Sequence, residues 1–539
     1  MNKRQRLRAV FAPRKDAPLP GWMIFPLIFA ALYASHFSLL RLPYYWDEAG
    51  YYIPAAWDFF RTGSLIPITT LSNAHPPLPS IYLALCWKAS GFSPEVTREA
   101  VLLAASLGLV GVWRLALRLA GSPLVAFWTV VLTALYPIWF AQSTLAHADI
   151  FAAACTLWGL VYALPAKDRK PWDAALWFTA AALCKETAIA VPLTLAALSL
   201  AAALRAHFAE RWRLVREATW LAGCVVPLAG WYAWHYARTG FLFGNPEFLR
   251  YNAEATLAPV RFAAAFFHRL LHLTAHMNLF VPVLMALAAL SLSLRPDAEG
   301  HERPGIGRAA LWRIYILLLT NALLFSVLGG ALLTRYLLPM YPLVLLMAVS
   351  TFYRRVPYWQ GLAVFSAAAF VAGLLINPPY GFAPEDNLAY AHVVRMEMAG
   401  IAHLNAHFPG AVVLSAWPVT DELTRPELGY VKQPYEVYSL EDFTAAQIAR
   451  AAAEPGRYSA ALVFSTKYEP PVLSLSLGPK SKALDERYFG LHYDLRPEAI
   501  AAQLGGDLVW ERNDQGMWIA LIRFNRQFEA DAQPARPSW

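Results

Sequence analysis

Five short segments carry most of the residues in this sequence whose types and spacing suit chemistry. Asp47 and Glu48 stand side by side in Pro43-Tyr44-Tyr45-Trp46-Asp47-Glu48-Ala49-Gly50-Tyr51-Tyr52. Neighbouring carboxylates raise each other's affinity for protons, and a partly desolvated one can serve as a general base. His75 precedes Pro76, Pro77 and Leu78, where two prolines introduce a helix and present the imidazole at its start. There it can meet an anionic phosphate. His147 and Asp149 lie in Ser143-Thr144-Leu145-Ala146-His147-Ala148-Asp149, Lys185-Glu186 interrupts an apolar stretch, and Arg335-Tyr336 opens another. Each site also has a structural reading: solvation of a helix end for Asp47 and Glu48, a turn for His75, a helix cap for Asp149, an internal pair for Lys185 with Glu186, and snorkelling for Arg335.

The elements that must position these residues are set by composition. The 539 residues are 58% hydrophobic and only 15% charged, a balance that water alone solvates poorly. Residues 1–376 carry 31 Lys+Arg against 17 Asp+Glu, whereas residues 377–539 carry 14 against 20. The apolar run from Gly21 to Leu40 is long enough to cross roughly 30 Å of hydrocarbon, and it follows Lys3, Arg4, Arg6, Arg8, Arg14 and Lys15. That flank places the N-terminus in the cytoplasm, with the run read as an uncleaved first crossing. Further apolar stretches fall near 98–118, 122–141, 150–165, 172–184, 187–205, 217–236, 272–294, 311–329, 334–352 and 358–376. Together they predict about eleven transmembrane helices, with a tilted or broken helix as an alternative across 172–205. Threaded alternately, these crossings place 21 Lys+Arg on the inner side and ten on the outer side, in keeping with the positive-inside tendency.

The expected fold class is therefore a polytopic α-helical membrane protein, with residues 1–376 as its membrane domain and residues 377–539 as an extracytoplasmic soluble domain. After Pro378 and Pro379 the pattern predicts helices over 386–408 and 440–453 and strands over 411–417, 459–465 and 517–524, a small α/β or α+β unit. No catalytic constellation is evident within it. Between Ala49 and Arg61, Tyr52, Ala56, Phe59 and Phe60 recur at helical spacing, which predicts a helix lying along the membrane surface. Cys86, Cys155, Cys184 and Cys224 all precede the C-terminal part, so disulfides are not its means of stabilisation. There is no zinc-type Cys/His spacing, no phosphate-binding glycine loop and no Gly-x-Ser-x-Gly elbow, and nothing calls for a nucleic-acid partner.

Under this topology all five segments emerge on the outer side. Carboxylates beside basic groups at a lipid-facing cleft suit transfer from a phosphate-linked donor, an acid activating the acceptor while cations stabilise the leaving phosphate. A proton-coupled transporter would place its acids nearer mid-depth. Asp47, Glu48, Asp149 and His147 also leave room for a divalent metal ion, although their spacing matches no known ligand signature.

The ensemble of Asp47-Glu48, His75-Pro76-Pro77-Leu78, Asp149, Lys185-Glu186 and Arg335-Tyr336-Leu337-Leu338-Pro339-Met340-Tyr341-Pro342 resembles the GT-C glycosyltransferases of the dolichyl-phosphate-mannose protein mannosyltransferase superfamily, which includes bacterial aminoarabinose transferases acting on lipid A. The resemblance covers residues 21 to about 350. It implies a lipid-facing cavity, a polyprenyl-phosphate sugar donor, and inversion at the anomeric carbon, with a protein or a glycolipid as acceptor. Asp47 would be the base or the carboxylate that orients the acceptor, with Glu48 as its neighbour and Asp149 assisting in the same pocket. His75, Lys185, Arg335 and Tyr336 would lie near the donor phosphate. The aminoarabinose transferases carry lysine where His75 stands, and the eukaryotic protein mannosyltransferases carry an inserted soluble repeat domain that has no counterpart here. A bacterial enzyme of the cytoplasmic (inner) membrane is the expectation, with a lipid-linked sugar flippase as the alternative.

Overall fold

The computed structural model describes residues 21–164, 169–246, 257–297, 300–471, 475 and 478–524. The basic tail from Lys3 to Lys15, on which the expected orientation leans, lies outside these residues.

Helices dominate the described residues as far as residue 375. Pro94–Ala120, Glu186–Ala203 and Arg308–Val327 are each long and apolar enough to cross a bilayer alone. Met23–Leu39, Pro123–Leu135, Ala148–Ala163 and Gln360–Leu375 are apolar but shorter. The longest is bracketed by conventional stop signals: Ser93 accepts from Val96 N–H at its start, and Gly121 closes it with a φ of 66°. Exposed apolar side chains such as Leu27, Leu124, Leu176, Leu319 and Phe365 stud the helical part. A surface of that kind is stable against lipid and costly against water.

Several expected continuous segments are broken. Pro137, which has no backbone N–H, divides 122–141 into Pro123–Leu135 and Pro137–Gln142. The 217–236 stretch belongs to two helices, Phe208–Ala222 and Val225–Thr239. The expected crossing at 272–294 is not straight: Pro259–Asn278 and Phe280–Ala289 meet at 97°, where Met277 and Asn278 take φ values of 48° and 65°. Between the apolar stretches expected at 217–236 and 272–294 the chain already begins a helix, Pro259–Thr274. Across 172–205 the chain forms Pro171–Cys184 and then Glu186–Ala203, parted by Lys185 in an extended conformation. The expected helix after Ala49 is present as a π-helical turn, Glu48–Tyr52, continuing into Ile53–Thr62.

Beyond Asn377 a five-stranded sheet forms, with strands β1 (Val412–Ala416), β2 (Glu436–Leu440), β3 (Ala460–Phe464), β4 (Asp507–Asp514) and β5 (Met517–Arg523) in the order β2-β1-β3-β5-β4. β1 is parallel to β2 and β3, whereas β5 runs antiparallel to β3 and β4. The turn between β4 and β5 uses Gln515 and Gly516 at φ values of 48° and 87°, the combination a tight hairpin requires. The Ala389–His407 helix packs on this sheet. The core beneath it is continuous with Leu39, Leu42, Tyr45, Phe140 and Leu145 of the helical part. The two parts are therefore joined by buried apolar surface as well as by chain.

Candidate active site

Asp47 sits at the entry to the π-helical turn, directly after Trp46, whose φ is 46°. Local π-turns recur at functional sites because they re-aim side chains by a fraction of a turn. Here the two adjacent carboxylates are sent in different directions.

Glu48 is fully buried and faces away from the cavity that Asp47 lines. It accepts from Arg98 Nη1 at 2.5 Å and from the N–H groups of Tyr45 and Ala146 at 2.9 and 2.6 Å. Arg98 is equally buried and also donates to the carbonyls of Thr144 and Pro43, at 2.5 and 2.7 Å. Glu48 and Arg98 thus staple the first loop to the long Pro94–Ala120 helix and to the loop before Asp149. An arginine one turn inside a long apolar helix needs such a partner. That was the signal that could have singled out Arg98.

Asp47 turns the other way, onto Arg335. The guanidinium is almost completely buried and meets three carboxylates: Nη2 donates to Asp47, Nη1 donates to Glu385, and Nε lies 3.4 Å from Asp149 Oδ2, an ion-pair separation. Asp149 also accepts from Lys185 Nζ at 2.6 Å, and that ammonium lies over the Tyr336 ring, 4.2 Å from its centroid. His75 Nδ1 lies 3.1 Å from Glu186, while its ring packs against Tyr51 and Tyr52. The pairings are therefore Lys185 with Asp149 and Glu186 with His75, instead of Lys185 with its chain neighbour. His147 Nδ1 is bonded to Gln142 and approaches Arg335 at 3.4 Å.

Glu385 was not anticipated. It belongs to a single 3-10 turn, Pro384–Asp386, at the start of the C-terminal part, where sequence reasoning found no catalytic group. Its neighbour Asp386 accepts from Thr334 and is bonded to His276 Nε2 at 2.8 Å. Burial pushes the Glu385 carboxyl up to about 8, although Arg335 pulls the other way. Glu385 Oε1 and His147 Nε2 are buried with no hydrogen-bond partner among the described residues. Arg269, also unanticipated, donates to the carbonyls of Phe325 and Leu333 at 3.1 and 2.7 Å, has no carboxylate partner among the described residues, and leaves Nη2 unpartnered.

These groups surround one cavity of about 2410 Å³. Asp47, His75, Lys185, Glu186, Arg335, Tyr336 and Glu385 line it, and Asp149 reaches it through Arg335 and Lys185. Leu193, Leu228, Leu271, Phe280 and Leu324 give it an apolar side, while Lys467, Glu469, Lys482 and His492 of the C-terminal part give it a polar one. The five chemically suited segments thus converge. The four groups considered as metal ligands do not form a ligand set, since Glu48 is committed to Arg98 and both Asp47 and Asp149 to Arg335. Among the described residues no cluster of three suitable side chains could hold a metal ion.

Comparison with known proteins bears on this arrangement. The family described as dolichyl-phosphate-mannose-protein mannosyltransferase matches residues 74–231, the stretch that contains His75, Asp149 and Lys185-Glu186. Two crystal structures of ArnT from Cupriavidus metallidurans match over nearly the whole chain. The apo form is 15% identical and the form bound to undecaprenyl phosphate 16%; each comparison covers 93% of this chain and 98% of ArnT with a TM-score of 0.52. The chain is similar to the GT-C glycosyltransferases and shares their fold. A comparison with curated proteins gave no match. At 93% coverage the likeness to ArnT takes in most of the residues after 377.

Proposed function

We propose that the protein is an inverting glycosyltransferase that moves a sugar from a polyprenyl-phosphate donor to an acceptor on the outer face of the cytoplasmic membrane. The observation that carries this reading is the single cavity in which an apolar side meets Asp47, Arg335 and their charged neighbours. A polyprenyl chain suits the apolar side, and the binding of undecaprenyl phosphate by ArnT supports a donor of that class. In this reading the membrane part crosses about eleven times with its N-terminus inside, and residues 377–539 form the extracytoplasmic domain.

The acceptor hydroxyl would lose its proton to Asp47 as it attacks the anomeric carbon, while the bond from that carbon to the phosphate oxygen breaks and polyprenyl phosphate leaves. Lys185 and Arg335 are already balanced by acids, so their charge orients the site more than it attracts the phosphate. Arg269 lies behind Phe325 and Tyr336, with Asp386 acting on its charge from a distance and no carboxylate among the described residues in salt-bridge contact with it. A buried cation held chiefly by neutral acceptors stabilises an incoming anion strongly. His75 would face the same phosphate, Asp149 would hold Lys185 and Arg335 in place, and Glu48 would position Asp47 without touching substrate.

The test is turnover of an undecaprenyl-phosphate-linked sugar by the purified protein. Release of undecaprenyl phosphate, with the opposite anomeric configuration in the product, is expected. Movement of the intact lipid across vesicles without release would instead make the protein a flippase. Lipid chromatography set against glycoprotein staining in a deletion strain separates a glycolipid acceptor from a protein one.

A further inference from the structure

Beside Asp47, two tryptophans from distant parts of the chain meet at the cavity wall. Trp46 precedes the proposed base directly and holds a left-handed backbone, which a bulky residue adopts only when its surroundings require it. Trp417 projects from the end of β1, keeps 37% of its surface exposed, and also lines the cavity. The rings stand edge to face with centroids 5.2 Å apart. Trp417 is fixed from two sides. Its indole N–H donates to Asp421 at 3.1 Å, and its ring lies so close to Gly50 that a Cβ there would come within 2.5 Å of the indole nitrogen.

We propose that Trp46 and Trp417 form a carbohydrate-binding corner that seats a pyranose ring next to Asp47. A sugar ring has an apolar face of C–H groups and a rim of hydroxyls. Rigid indole faces suit the first, and an adjacent carboxylate suits the second. Both tryptophans are locked before any ligand arrives, so little ordering entropy remains to oppose binding. The proposal rests on the transferase reading for the identity of the ligand. The ring could belong to the donor or to a glycan acceptor, since both carry the same chemistry.

Binding is measured without turnover, by saturation-transfer NMR of the purified full chain with a panel of methyl glycosides. Affinity is measured in parallel for undecaprenyl-phosphate mannose and for undecaprenyl phosphate. Trp417→Ala is expected to weaken at least one glycoside-bearing ligand by about tenfold, the size of one aromatic contact, and to leave undecaprenyl phosphate unaffected. Trp417→Phe should retain part of the affinity. Gly50→Ala, which displaces the indole without removing it, should reproduce the loss and guards against misfolding of the alanine variant. Weakening confined to the sugar-bearing lipid assigns the corner to the donor, and weakening confined to free glycosides assigns it to the acceptor. Equal affinities in wild type, Trp417→Ala and Gly50→Ala overturn the proposal. Because sugar binding is read directly, a protein that binds glycosides but releases no undecaprenyl phosphate overturns the transferase reading alone.

Discussion

Glu385 and Asp47 share one guanidinium: Arg335 donates through Nη1 to the first and through Nη2 to the second. The pair joins the first loop to the segment that begins the C-terminal part, and it sets up a charge that changes with pH. Asp149, His147, Asp386 and Tyr45 are the other titratable groups around Glu385. Burial holds Glu385 up to about 8, so it is neutral below that pH and anionic above it. Ionisation adds a negative charge to the cavity proposed to admit the donor phosphate. The KM for a polyprenyl-phosphate donor is therefore expected to rise as pH passes upward through about 8. Glu385→Gln, neutral throughout, should give a flat KM over the same window. An equal rise in the variant would assign the titration to another group.

Asp47→Asn preserves the size of the side chain and an oxygen facing Arg335 but removes the proposed base. Turnover should fall by about 100- to 10,000-fold, the range of general-base contributions, with donor affinity little altered. Single-turnover kinetics beside equilibrium donor binding separates the two effects. A variant that transfers at the wild-type rate removes Asp47 from the chemical step.

Removing Arg98 is a test of architecture. Arg98→Ala leaves Glu48 charged, fully buried and without its cation, which should cost about 3–5 kcal/mol. Replacing both partners with apolar residues, Arg98→Met with Glu48→Leu, should recover much of that loss. Thermal unfolding in detergent compares the two. Equal destabilisation would show that the loop depends on the other hydrogen bonds of this cluster.

A second acid pair gives stability its own pH dependence. Glu397 and Glu422 are buried together near Tyr430, whose hydroxyl donates to the Tyr44 carbonyl at 2.9 Å and lies 3.5 Å from Glu397. Burial raises Glu397 to about 8 and holds Glu422 well above its usual range, helped by the charge of Glu397. A carboxyl raised in the folded state favours folding fully below its unfolded value of 4.5, and that advantage is lost as pH climbs to about 8. The melting temperature should therefore decline between pH 5 and 8.5. Glu397→Gln should make the decline shallower, and an unchanged slope would exclude the pair as its source.

The membrane part was legible in the sequence because long apolar runs and flanking charges carry a strong signal, and Asp47, His75, Lys185 and Arg335 stood out against that background. The breaks were less visible. Met277 and Asn278 create the 97° bend through backbone angles that their residue types do not announce. In the C-terminal part, β1, β3 and β5 were readable as apolar runs because they are the inner strands. β2 and β4 form the sheet edges, are partly exposed and carry polar residues, so neither registered as a strand. Glu385 escaped because nothing in Ala383-Pro384-Glu385-Asp386 distinguishes it from a surface turn. Only tertiary packing brings it to Arg335. The same holds for Trp417, whose meaning depends on Gly50, more than 350 positions earlier in the sequence.

The cavity's two unlike sides bear on the order of events. An apolar flank and a polar flank in one cavity let a lipid-borne reagent and a polar one lie side by side. Both can then be present at once, and the kinetic pattern to look for is intersecting lines in double-reciprocal plots instead of the parallel set left by an enzyme that stores the sugar on itself between visits.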